Sequence, residues 1–166
     1  MKYIKEIIPY IVIIIVVSLI RTFIITPVRV DGLSMYPTLK NGEVLLLKKY
    51  DKSFDRFDIV VVKYGSTRIV KRIIGLPGDN IKFINNQLYV NGKIVNEPYL
   101  DEFVITSDFD ISKFNVNTIP NDYYFVMGDN RTNSTDSRII GLIPRENILG
   151  ITDFSIFPFS TFGEIK

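Results

Sequence analysis

The chain has 166 residues, enough for one compact domain and little more. Its 46% hydrophobic and 23% charged residues are ordinary globular composition, and a formal net charge of +2 is too small for the dense basic face of a nucleic-acid binder. There is no His, Cys or Trp, and no Ala either. Disulfides, thiol nucleophiles, Cys- or imidazole-based metal sites and a Ser-His-Asp triad are therefore excluded, and any proton shuttle must be a carboxylate, Lys or Tyr.

Lys2 and Lys5 precede an apolar run, IIPYIVIIIVVSLIRTFII, over residues 7–25. As a helix these nineteen residues span about 28 Å at ~1.5 Å per residue, close to a bilayer core of about 30 Å. Arg21 lies near the end, where its stem can snorkel to the headgroups. The flanking lysines predict residues 1–6 on the cytoplasmic side and the rest beyond the membrane. A cleavable leader would need small residues at a cleavage site, and the following FIITPVRV has none in that pattern. Pro27 is read as the end of the helix.

Beyond it the chain reads as mainly β. Apolar runs at residues 43–47, 58–62, 68–74 and 123–127 alternate with turn signals, and 27 Ile without any Ala lower the helix prior. Residues 81–95 read IKFI, Asn85-Asn86, QLYV, Asn91-Gly92, KIV, a meander with tight turns. Residues 100–122 are polar, acidic and aromatic without a period, and are read as a cap or loop excursion.

Three segments look unlike structural filler: VDGLSMYPTL at 30–39, VKRIIGLPGD at 70–79 and GDNRTNSTDSR at 128–138. In the first, Ser34 stands between Gly32 and Pro37; in the second, Lys71 interrupts an apolar strand; the third is a polar loop leaving an apolar strand. Each alone could be a turn cap, an edge guard or a solvated loop. Together, and in this order, they resemble the signature boxes of the bacterial, membrane-anchored type I signal peptidases of the Ser/Lys kind. FDIVVVK at 57–63, LYVNGKIVNEPYL at 88–100 and IIGLIPRENILG at 139–150 resemble the same family's intervening stretches, and the likeness runs from the anchor to FSIFPFSTFG.

The resemblance implies an N-terminal transmembrane helix followed by an antiparallel-β catalytic domain with a small β cap. The expected divisions are residues 1–6 cytoplasmic, 7–25 anchor, 27–79 and 122–166 catalytic, and 80–121 a hairpin and cap insertion. It implies a serine endopeptidase that removes signal peptides from exported pre-proteins at the outer membrane surface, with Ser34 as nucleophile and Lys71 as base. Ser134 is expected to hydrogen-bond the Lys71 amine, and Asp129 with Arg72 and Asp136 with Arg138 to form supporting ion pairs. The substrate would add to the edges at 28–34 and 68–71, with Val28, Val30, Gly32, Met35, Leu39 and Val70 lining small apolar pockets. No cofactor or metal is implied; the partners are signal peptides and membrane lipids, with no nucleic acid, and the oligomeric state is left open. Gly32 departs from the Gram-negative branch, where a Ser hydroxyl completes the oxyanion hole, so a second donor must be backbone or water. Leu33 stands where Asp is more usual among Gram-positive relatives.

The residues agree with that chemistry. A Ser hydroxyl needs an adjacent base, and a free Lys, with a pKa of about 10.4, is charged at neutral pH. The apolar run around Lys71 offers the burial that disfavours an ammonium. Two alternatives remain: a self-cleaving Ser/Lys peptidase of the SOS-repressor kind, and an inactive membrane-anchored peptide-binding module.

Overall fold

A computed structural model describes residues 2–51 and 53–165, with side chains from Ile7 onward. Helix α1 (Lys2–Phe23) carries Pro9 within it. Among the described residues no helix is long and apolar enough to cross a membrane. The helix stops two residues before the expected boundary, and Pro27 falls inside strand β1 (Ile25–Arg29) instead of terminating the helix. The reason is local: Ile24, Ile25 and Thr26 are β-branched, and the residue before a proline avoids the helical region. The last carbonyls of α1 are taken by side chains beyond it. Thr26 Oγ1 donates to Arg21 O at 2.8 Å and Lys49 Nζ to Thr22 O at 3.0 Å.

The strands that follow are β2 (Val44–Lys48), β3 (Ile59–Tyr64), β4 (Thr67–Gly75), β5 (Ile81–Ile84), β6 (Gln87–Val90), β7 (Lys93–Val95) and β8 (Phe109–Asp110). Then come β9 (Tyr123–Met127), the single-turn helix α2 (Ser137–Ile140), β10 (Ile143–Pro144), β11 (Ile148–Phe157) and β12 (Gly163–Glu164). Among the described residues they form two antiparallel sheets. One has eight strands, ordered β1-β2-β11-β3-β4-β9-β10 with β12 beside β11; the other is a four-stranded meander, β7-β6-β5-β8. The sequence showed the meander because both of its turns are local, with Asn85, Asn86 and Asn91 at positive φ. It did not show β1, β8 or the long C-terminal β11, whose partners β2 and β3 lie far away in the chain.

Alternation along the strands sorts the core. Ile59 and Val61 of β3 face one cluster with Val28, Leu45, Leu47 and Val70, while Val60 and Val62 face another with Ile73, Tyr124 and Val126. On β9, Phe125 and Met127 point the other way, into a third cluster with Ile81, Phe83, Leu88 and Ile111 that joins the two sheets. β4 pairs with β3 over Thr67–Arg72, while β9 covers its other side only from Arg72 onward, so its edge over residues 67–71 stays open. β1 ends the large sheet and leaves a second open edge.

Candidate active site

Past β1 the hairpin continues by two further bonds, Val30 N to Glu43 O and Gly42 N to Val30 O, before the chain turns sharply. Gly32 adopts φ +97°, a conformation that strains any residue with a Cβ, and its N–H donates to Asn41 Oδ1 at 2.8 Å. The turn is closed by Tyr36 N to Leu33 O and Leu39 N to Met35 O. Asn130 anchors it from the opposite side. Its backbone N–H donates to Ser34 O at 3.0 Å and its side-chain amide to Leu33 O at 3.1 Å. Ser34 is thereby presented to β4.

Lys71 Nζ lies 2.6 Å from Ser34 Oγ, although the two are 37 residues apart in sequence. Lys71 is only 2% exposed. Burial lowers its pKa to about 8, against the pull of the Asp136 and Asp129 carboxylates, which favour the ammonium. The pair can therefore place a neutral amine within hydrogen-bond reach of a hydroxyl in mildly alkaline water, the arrangement general-base activation requires.

Two buried ion pairs stand behind it. Arg72, the next residue on β4, grips Asp129 with two bonds of 2.9 and 2.7 Å, donates to Phe57 O and stacks 3.9 Å above the Tyr99 ring. Thr38 Oγ1 donates to the same carboxylate at 2.5 Å, tying the Ser34 turn to the Lys71 strand through Asp129. Asp136 accepts from Arg138 Nε and Nη2 and from Gly128 N. Burial pushes the Asp136 carboxyl up, but Arg138 and the Gly128 N–H outweigh it and hold it below the usual range.

The remaining sequence-picked residues are placed as follows. Val28, Val30, Met35, Leu39 and Val70 come together in one buried cluster. Met35 and Leu39, each 1% exposed, belong to the core and offer almost no surface to a ligand in this structure. Ser134 lies beside the Asp136 carboxylate, and its buried Oγ completes no hydrogen bond of ordinary geometry, so a bond to Lys71 is not formed. It is packed under Gly128, whose Cα lies so close to Ser134 Oγ and to Ser34 O that a Cβ there would collide with both.

Sequence reasoning missed Asn41, Thr38, Asn130 and a further buried group. Arg131, 3% exposed, donates to Gly128 O, Thr106 Oγ1, Tyr99 Oη and both Glu97 carboxylate oxygens, the shortest bond being 2.5 Å. It welds the loop at 128–138 to residues 97–106. Glu97 and Tyr99 lay within a quoted stretch, NEPYL, and a carboxylate beside a phenol in an otherwise apolar meander was the available signal. Among the described residues no cluster of acidic groups could hold a metal ion.

Comparison with known proteins bears directly on this geometry. The profile of the family described as "Signal peptidase, peptidase S26" matches residues 2–157. The chain belongs to the signal peptidase family. It is 49% identical to signal peptidase I S of Bacillus subtilis strain 168, over 86% of this chain and 82% of that one. It is 43% identical to a signal peptidase I of Bacillus amyloliquefaciens, over 94% and 89% respectively. Among solved structures, a signal peptidase I from Enterococcus faecalis V583 superposes with a TM-score of 0.55 at 32% identity, covering 60% of this chain and 96% of that chain. The signal peptidase fold of this chain is mainly antiparallel β.

Proposed function

We propose that the chain is a membrane-anchored serine endopeptidase that cuts signal peptides from exported pre-proteins, with Ser34 as nucleophile and Lys71 as its base. The observation that carries this reading is the 2.6 Å contact between Lys71 Nζ and Ser34 Oγ, with the lysine almost wholly buried. Neutral Lys71 takes the Ser34 proton as Oγ attacks the scissile carbonyl. The Ser34 backbone N–H is the first donor to the developing oxyanion. Collapse breaks the C–N bond, and the Lys71 ammonium returns its proton to the leaving amine, leaving an ester on Ser34. Water, deprotonated in turn by Lys71, attacks the ester; its C–O bond to Ser34 breaks, Lys71 returns the proton to Ser34 Oγ, and the signal peptide leaves with a free carboxyl group.

Gly32 cannot supply a side-chain donor, and its N–H is already given to Asn41. Asp129 with Arg72 and Asp136 with Arg138 hold the two catalytic segments. The substrate lies extended between the open edges of β1 and β4, with Val28, Val30 and Val70 as the apolar floor beneath its small residues.

Helix α1 serves as the anchor. Of its described side chains, Ile7, Ile11, Ile14, Val17, Ile20 and Phe23 are all exposed. A helix apolar on every side and unpacked by the domain is at home in lipid. With Lys2 and Lys5 holding the N-terminus inside, the catalytic domain lies outside the cell membrane. The test is direct: full-length protein in detergent is incubated with a pre-protein and the cut mapped by mass spectrometry. One cut after a small-x-small sequence is expected, absent in Ser34→Ala; no cut, or a cut surviving that substitution, overturns the assignment.

A further inference from the structure

A groove of about 360 Å³ opens beside the nucleophile turn. Tyr36 and Pro37, just past Ser34, form one wall, Asp129 to Thr132 the floor, and Asp101, Phe103 and Ile105 the far wall. None of residues 28–33 or 68–71 lines it, so it is separate from the two open strand edges. Its apolar residues face water: Phe103 is 83% exposed, Ile105 66% and Tyr36 51%. The far wall is nonetheless held in place. Val104 O and Thr106 N bond the Asn86 side chain, and Thr106 Oγ1 accepts from Arg131. The charges of the floor are cancelled, Asp129 by Arg72 and Arg131 by Glu97. Among the described lining residues this leaves Asp101 as the carboxylate without an ion-pair partner.

A peptide whose scissile carbonyl stands over Ser34 cannot continue along β4, because β9 closes that strand from Arg72 onward. It has to leave across Tyr36 and Pro37. We propose that the groove receives the peptide on the leaving-group side of the cut, the first residues of the released protein. It favours an apolar side chain against Tyr36, Phe103 and Ile105, and favours a cationic over an anionic residue beside Asp101. The proposal rests on the peptidase reading above and adds a second specificity site to it.

The test uses the full chain in detergent and a peptide series with one fixed signal-peptide half. The second and third positions after the cut carry Phe, Gly, Lys or Glu. The wild type is expected to prefer Lys to Glu by about threefold to fivefold in kcat/KM, the scale of one exposed charge pair. Asp101→Lys should reverse that order. Phe103→Ala and Ile105→Ser should lower kcat/KM for the Phe peptide several-fold and leave the Gly peptide unchanged. An equal loss for every peptide, or unaltered ratios in all three variants, overturns the groove. Self-association lost in Phe103→Ala while the ratios stay fixed would assign the groove to a second copy, and also overturns it. Failure of the wild type to cut the Gly peptide, or cutting that persists in Ser34→Ala, would overturn the peptidase reading itself.

Discussion

Lys71 carries opposite consequences for activity and stability. A base must be neutral, so kcat/KM should rise with pH through about 8, the value burial gives the amine. A carboxylate base would instead put the rise near pH 4–5, so the measured acid limb separates the two. For stability the sign follows from proton uptake: between about 8 and 10.5 the unfolded chain holds more protons on this lysine, so folding is favoured as pH rises. Below that window the penalty is fully present, about 3 kcal/mol at ~1.4 kcal/mol per tenfold change in acidity. Lys71→Met should therefore abolish cleavage yet raise Tm at pH 7, with an advantage that shrinks towards pH 10. A thermal scan at the two pH values checks it. Asn41 makes a separate prediction. Asn41→Asp keeps an acceptor for the Gly32 N–H and should retain most activity, while Asn41→Ala loses it and should lower kcat about fivefold to tenfold, the worth of one hydrogen bond, with KM little changed.

Among the elements, the loop after β9 is the joint between the Lys71 strand and the Ser34 turn. Gly128 starts it, and a Cβ there would collide with Ser34 O and Ser134. Gly128→Ala should displace the nucleophile turn and cut kcat by about a hundredfold or more, the scale of a misplaced reacting group, while circular dichroism stays native. Native kinetics in that variant would refute the joint. One residue further, Asp129 collects Arg72 and Thr38, so Asp129→Asn strands a buried guanidinium. A loss of about 3–5 kcal/mol in urea denaturation is expected.

For the whole molecule, two sheets share one catalytic loop. The small sheet reaches it through the third core cluster and through Arg131, which Glu97 and Tyr99 grip. Burial opposes the charge on Arg131, yet Glu97 outweighs it and raises the guanidinium's pKa. Glu97→Gln should loosen residues 97–106 and the loop together, seen as faster hydrogen exchange in both segments; exchange changed in only one would separate them. At the other end, Thr26 and Lys49 cap the final carbonyls of α1 and fix how the domain meets its helix.

By itself the sequence determined the excluded chemistries, the β class, the two-turn meander and the family, because composition, alternation and turn residues act over a few positions. The ordered boxes and the absent His also singled out Ser34 and Lys71, which the fold brings within 2.6 Å of each other. Only the tertiary structure decided that Thr38 and Asp129, 91 residues apart, meet, that Asn41 holds Gly32, and that Glu97 holds Arg131. It also decided that Met35 and Leu39 are core, and that Pro27 lies in a strand that β2 pairs. A local pattern states which face of a strand is apolar; it does not state which distant segment will cover that face or satisfy a buried charge.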